Sequence, residues 1–145
     1  MKGAVDMDNC IFCKIIKGDI PSTKIYEDDH VLAFLDISQV TKGHTLVIPK
    51  RHIKDLYEMD EDTASHLFRV VPKITRAIMD AMGAKGLNVA INNREVAGQT
   101  VFHSHIHLIP RYSDQDGFTI RFTNNMDQYS QDDLITIGQQ IQNHI

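Results

Sequence analysis

The chain is organised around one stretch, which reads Gly98-Gln99-Thr100-Val101-Phe102-His103-Ser104-His105-Ile106-His107-Leu108-Ile109-Pro110-Arg111. It places His103, His105 and His107 at alternate positions among β-branched and aromatic residues. That composition predicts a β-strand, in which alternate side chains point to one face about 6.6–6.8 Å apart. A helix would instead fan them around its axis. We therefore expect aligned imidazoles, either as a metal site or as a nucleophile with helper imidazoles, rather than unrelated surface histidines.

Length and composition are those of one ordinary globular domain. The chain has 145 residues, of which 42% are hydrophobic and 23% charged, and its formal net charge is −4. This charge, without a long basic run, excludes non-specific binding of a nucleic acid polymer as the main task. No apolar stretch approaches the roughly 20 residues of a membrane span, and Met1 to Asp8 lack an apolar signal-peptide core. We expect a single cytoplasmic domain over residues 1–145, with residues 1–7 a disordered extension and no membrane partner.

The two cysteines, Cys10 and Cys13, have the spacing of a metal half-site or a redox pair. In a reducing compartment such a pair is seldom a structural disulfide. Ile11 and Phe12 lie between them, where a redox pair would more often carry proline or glycine, so a zinc half-site is favoured. Two further ligands, which would be histidines, are then needed. Two free buried cysteines are the alternative.

Periodicity and capping residues predict the other elements. Asp60 and Gly83 bound a long helix that contains Pro72, and Ser130 caps a final helix in the tail, residues 112–145. The predicted helices cover residues 10–17, 61–82 and 131–143, and the predicted strands cover 23–27, 30–36, 44–49, 87–92, the histidine stretch and a possible short segment at 118–122. Asp8 or Asn9 would cap the first helix, and Gly18 would end it. This order predicts an α+β fold with an antiparallel sheet and helices on one side.

The sequence is similar to the histidine-triad (HIT) family over most of its length. The run from Gly98 to His107 matches the family signature, and three upstream blocks also match: Cys10–Ile16, Ala33–Ile37 and Gly43–His52. The resemblance implies a HIT-like antiparallel sheet with one long helix and a C-terminal helix, the sheet extended across a homodimer. It covers the chain from about residue 10 to residue 111, and the tail matches no motif.

The resemblance also implies a nucleotide hydrolase or nucleotidyl transferase that acts at the α-phosphate of a purine nucleotide containing AMP or GMP. His105 would be the nucleophile and form a covalent nucleotidyl-histidine intermediate, while His107 would assist at the phosphate or the leaving group. The implied nucleotide-binding residues are Asp36 at the ribose hydroxyls, then Asn92, Gln99, Thr100 and His107. In zinc-carrying members, the ligands of a structural zinc would fall on Cys10, Cys13, His52 and His103.

Several alternatives remain open from the residues alone. The run from Gly98 to Val101 and the pair Pro110–Arg111 resemble enzymes that cleave dinucleoside polyphosphates, whereas the paired cysteines resemble nucleoside phosphoramidases. A nucleotide-binding regulatory protein with weak or no turnover would keep the same binding residues. A metalloenzyme could hold a catalytic metal on the three alternate histidines.

Overall fold

The structure, a computed structural model, describes residues 7–145 and has a five-stranded antiparallel sheet at its centre. The strands are β1 (Lys24–Glu27), β2 (Val31–Leu35), β3 (Thr45–Pro49), β4 (Gly86–Ile91) and β5 (Ile106–Arg111). They lie in the order β1-β2-β3-β5-β4, and each is antiparallel to its neighbours. Together with the helices, this sheet confirms the predicted α+β class with an antiparallel sheet.

The two middle strands β2 and β3 are apolar on both faces, so both faces of the sheet must be covered. On one face Val31, Ala33 and Val47 pack with the long helix α2 (Glu61–Met82). On the other face the alternate residues pack with the short helix α1 (Ile11–Lys17). The expectation of helices on one side was therefore wrong, and α1 is the helix that reaches the histidine stretch.

Capping explains where the helices begin and end. The Asp60 carboxylate accepts the Thr63 N–H at 3.3 Å, and Gly83 ends α2 with φ 66°, as predicted. Helix α1 begins at Ile11, because the Cys10 thiol accepts the Cys13 N–H at 3.4 Å. The predicted cap by Asp8 or Asn9 was wrong.

The histidine stretch becomes a strand only at Ile106. Before that point the Ser104 N–H donates to the Ile53 carbonyl at 2.6 Å, instead of joining the sheet ladder. His103 and His105 thus precede β5, and His107 lies within it. The predicted strand was too long at its start, and this break lets neighbouring histidines face different partners.

The tail ends in helix α3 (Gln131–Gln142), which begins with a capping box formed by Ser130 and Asp133. Residues 118–122 do not form the predicted short strand. Of the predicted N-terminal extension, residues 1–6 lie outside the described residues and Met7 lies in a helical turn. Within residues 7–145 no helix has both the length and the apolar composition to cross a membrane.

Candidate active site

The four predicted metal ligands meet near the start of β5. The ligand atoms of Cys10, Cys13, His52 and His103 all lie within 4.8 Å of one another. The Cys13 Sγ is 3.3 Å from the His52 Nδ1, and the His103 Nδ1 is 3.5 Å from the Cys10 Sγ. The His103 Nε2–H donates to the Pro49 carbonyl at 2.7 Å, which leaves the lone pair of Nδ1 facing the sulfurs.

Burial sets the charge state of this cluster. It raises the pKa of the Cys13 thiol to about 12, with the neighbouring Cys10 acting in the same direction. It lowers the pKa of His103 to about 4. At neutral pH the imidazole is therefore neutral, as a metal ligand must be, and the Cys13 thiol ionises only if a cation displaces its proton. Two sulfurs and two nitrogens at this separation fit a tetrahedral zinc ion.

His105 has the opposite arrangement of ring nitrogens. Its Nδ1–H donates to the His103 carbonyl at 2.8 Å, so Nε2 carries the lone pair. The ring is buried, and the edge of the Phe12 ring from α1 packs against it with centroids 5.1 Å apart. Burial lowers the pKa of His105, and the ring is a neutral base with one free nitrogen. That is the state a nucleophilic imidazole requires.

His107 belongs to a chain of polar groups that the sequence did not reveal. Its Nδ1 lies 2.9 Å from the Nε2 of His44, and that Nε2 lies 3.7 Å from the Asp36 carboxylate. We assign the His44 Nδ1 as the acceptor of the Val40 N–H at 3.3 Å, so Nε2–H donates to His107. His107 then carries its own proton on Nε2, next to His105, whose ring centroid is 4.9 Å away.

Burial also keeps this pair neutral. It lowers the pKa of His107 to about 4, with the nearby His105 and His44 acting in the same direction, and it lowers the pKa of His44. Asp36 opposes both shifts. The sequence does not single out His44, because it precedes an apolar strand and resembles the first residue of that strand. A histidine that is 2% exposed in such a place needs a polar partner.

The three histidines of the stretch do not converge on one point. The His103 Nδ1 faces the cysteines, while the His105 Nδ1 is engaged with a carbonyl. Their ring nitrogens serve three different partners. This geometry does not support a metalloenzyme in which all three histidines hold one catalytic metal.

The predicted nucleotide-binding residues divide into two groups. Asp36 and Asn92 are half-buried and Thr100 is exposed, so their polar groups are accessible. Gln99 is only 2% exposed, and all its polar atoms are used: Nε2 donates to the carbonyls of Lys54 and Val101 at 2.6 and 3.0 Å. Its Oε1 accepts the Arg94 N–H at 2.7 Å. The Gln99 side chain therefore holds the loop together from inside the protein and has no atom left for a nucleotide.

A groove opens on the side of the site where Thr100 lies. Its volume is about 650 Å³, and Lys54, Glu58, Thr100 and Phe102 are among the residues that line it. The Lys54 ammonium lies 5.5 Å from the centre of the Phe102 ring. Cys10 and His52 of the cysteine–histidine cluster also line this groove, whereas His105 and His107 do not.

Known proteins resemble this chain over most of its length. The family model of the HIT domain matches residues 17–114. Protein hit of Bacillus subtilis is 59% identical over 92% of this chain and 92% of its own. Adenosine 5'-monophosphoramidase hnt1 of Schizosaccharomyces pombe is 38% identical over 94% of this chain and 98% of its own.

Solved structures give the same result. The crystal structure of a HIT family protein from Bacillus anthracis has a TM-score of 0.93 at 55% identity, covering 95% of this chain and 98% of that one. A zinc-bound histidine triad family protein from Mycobacterium smegmatis has a TM-score of 0.73 at 40% identity, covering 83% and 88%. The fold, the histidine stretch and these matches together show that the chain belongs to the HIT family.

Proposed function

We propose that this protein cleaves a purine nucleotide at its α-phosphate through a covalent nucleotidyl intermediate on His105. The observation that carries the proposal is the bond from the His105 Nδ1–H to the His103 carbonyl, which leaves a buried, neutral imidazole with its Nε2 free. Adenosine phosphoramidates are the first substrates to test, because the S. pombe relative is named a monophosphoramidase of adenosine. Dinucleoside polyphosphates are the second class.

The reaction would proceed in two displacements. The His105 Nε2 forms a bond to the α-phosphorus while the bond from phosphorus to the leaving group breaks, and the leaving group takes up a proton at the His107 Nε2. Water then attacks the phosphorus, the bond to Nε2 breaks, and the proton from water returns to His107. Splitting the displacement into two steps is the usual gain from a nucleophile, and His44 keeps His107 oriented throughout.

The remaining residues would bind and position the nucleotide. Asp36 would accept hydrogen bonds from the ribose hydroxyls, and Asn92 and Thr100 would contact the phosphate oxygens. Backbone N–H groups near Gly98, which has φ 92°, can approach an anion closely. Gln99 would act indirectly by fixing this loop.

We propose that Cys10, Cys13, His52 and His103 hold a structural zinc ion. The donor set, its separation and the zinc-bound relative from M. smegmatis support this. When bound, zinc would tie α1 to the segment that carries His103 and would keep the thiols ionised. Because His103 lies two residues before His105, its fixed position helps to fix the nucleophile. Such paired thiols fit a cytoplasmic compartment, where cysteines stay reduced.

We also propose that the protein works as a homodimer. The chain exposes 10156 Å², whereas a compact monomer of 16.5 kDa exposes about 7,600 Å². The excess is about 2,600 Å², which is at the upper end of what one partner buries in an obligate dimer.

The tail accounts for much of the exposed apolar surface. No hydrogen bond, ion pair or aromatic contact joins residues 119–145 to residues 7–117. Leu134, Ile137 and Ile141 on α3 are 37–60% exposed, although a lone helix of this length is marginal in water. Strand β4 is also an unpaired sheet edge. Sedimentation equilibrium should give twice the chain mass; the mass of one chain would refute the dimer.

The test of the proposed activity compares the wild type with His105→Ala. We expect the wild type to release AMP from an adenosine phosphoramidate, and the variant to lose at least about 10³-fold in turnover while it still binds AMP in calorimetry. His30→Ala, a substitution of an exposed histidine in the turn between β1 and β2, is the matched control. Binding without release of AMP by the wild type, from either substrate class, would favour a nucleotide-binding regulatory protein instead.

A further inference from the structure

Each end of the loop between β2 and β3 carries one residue of the chain of polar groups described above. Asp36 follows β2 and His44 precedes β3, and both belong to the chain of polar groups that reaches His107. The Asp36 N–H donates to the His44 carbonyl at 3.0 Å, which closes the loop. The position of each end therefore depends on how the loop between them is held.

The side chain of Gln39 spans this loop with three hydrogen bonds. Its Nε2 donates to the Asp36 carbonyl at 2.5 Å and to the His44 carbonyl at 2.7 Å. Its Oε1 accepts the Gly43 N–H at 2.8 Å. Only a side-chain amide supplies two donors and an acceptor in this arrangement, since a carboxylate has no proton to donate and would face two carbonyl oxygens.

The next residue connects Gln39 to the protonation state of His44. The Val40 N–H is the donor assigned to the His44 Nδ1, and this bond favours a proton on Nε2, toward His107, against the opposing effect of the Ser38 carbonyl on the same ring. A loop that relaxed around residue 39 would move this N–H and the ring together. The Nε2 of His44, which faces His107, would then no longer be held in its protonated form.

We propose that Gln39 is a positioning residue that aligns His44, and through it His107, for transfer of a proton to the leaving group. This inference rests on the proposed function. It assigns Gln39 no contact with the substrate, because its polar atoms are all engaged with the backbone of its own loop.

The test uses two adenylate substrates that differ in their need for a proton. An alkylamine leaving group in a phosphoramidate must be protonated, whereas p-nitrophenolate in the p-nitrophenyl ester of AMP departs without one. We compare kcat/KM, which reports the steps up to transfer of adenylate to His105 and leaves out the hydrolysis step that both substrates share. We expect Gln39→Ala to lower kcat/KM for the phosphoramidate about tenfold, a loss of one or two net hydrogen bonds in the alignment. The expected change in kcat/KM for the p-nitrophenyl ester is less than about twofold.

Two further variants keep the test decisive. Gln39→Met preserves the length of the side chain without its polar atoms, and it replaces Gln39→Ala if that variant does not fold. Gln115→Ala, at an exposed glutamine outside the loop, should change neither rate. Equal losses on both substrates, or no loss on the phosphoramidate, would overturn the positioning role.

Failure of this inference is separable from failure of the proposed function. If Gln39 variants behave like wild type while His105→Ala is inactive, the positioning role is wrong and the nucleophile stands. If His105→Ala keeps full turnover, the proposed mechanism is itself wrong.

Discussion

His103 and His105 are two residues apart on one segment, yet they present opposite ring nitrogens to their surroundings. His103 donates through Nε2 to Pro49 and leaves Nδ1 for the cysteines, while His105 donates through Nδ1 to the carbonyl of His103 and leaves Nε2 free. In each case a backbone carbonyl fixes the tautomer. The difference teaches that the same residue type becomes a metal ligand or a nucleophile according to which nitrogen the backbone occupies.

The comparison predicts that removing a metal ligand beside His103 and removing His105 itself have different effects. Cys10→Ser removes one ligand beside His103, so we expect loss of bound zinc and a fall in Tm of roughly 10 °C, from about 3 kcal/mol of lost stability. The turnover of protein that remains folded should fall much less than in His105→Ala. Metal analysis, thermal unfolding and kcat measured on one preparation check this.

If Cys10→Ser kept a full complement of zinc, the proposed four-ligand cluster would be wrong and His103 would not act as a metal ligand. Ser104→Ala is the matched control, because Ser104 is a buried residue between the two histidines. Its hydrogen bond to Ile53 is made by the backbone N–H, which the substitution keeps. Its zinc content should equal that of the wild type.

The pH dependence of stability tests the neutral state of the third histidine, His107, and its expected effect is smaller. Burial lowers the pKa of His107 to about 4 in the folded state, against about 6.5 in the unfolded chain. The unfolded state therefore binds more protons between these values, and His107 contributes a loss of stability as the pH falls from about 6.5 to about 4.

His107→Gln should flatten this part of the curve, because glutamine does not titrate. We expect a shallower decline of Tm between pH 6.5 and 4 for the variant than for the wild type, measured by calorimetry in the same buffers. His30→Ala, which removes an exposed histidine from the turn between β1 and β2, serves as the control. Parallel curves for wild type and His107→Gln would contradict the buried, neutral state assigned to His107.

Local signals in the sequence were sufficient for the elements that end at caps. Asp60 and Gly83 bound α2, and Ser130 begins α3, because capping depends on residues within one turn. The continuous apolar runs of β2 and β3 also carried the information that both faces are covered. The expectation that all helices lie on one side of the sheet was wrong, because α1 and α2 pack on opposite faces.

The pairings that build the site are long-range and were harder to predict. The start of β5 at Ile106 follows from a bond between Ser104 and Ile53, which no local pattern reports. The role of His44 depends on its pairing with His107 across β3 and β5. Gln99 was predicted to bind the nucleotide because it lies in the motif, but its side-chain polar atoms are hydrogen-bonded to backbone groups of two loops.

The most direct test of the central claim is rapid-quench mass spectrometry of the intact protein with an adenosine phosphoramidate. We predict a transient mass gain of one adenylate on the wild type, mapped by peptide analysis to His105 and absent from His105→Ala. Release of AMP with no adduct at any quench time, or an adduct on a residue other than His105, would contradict the account.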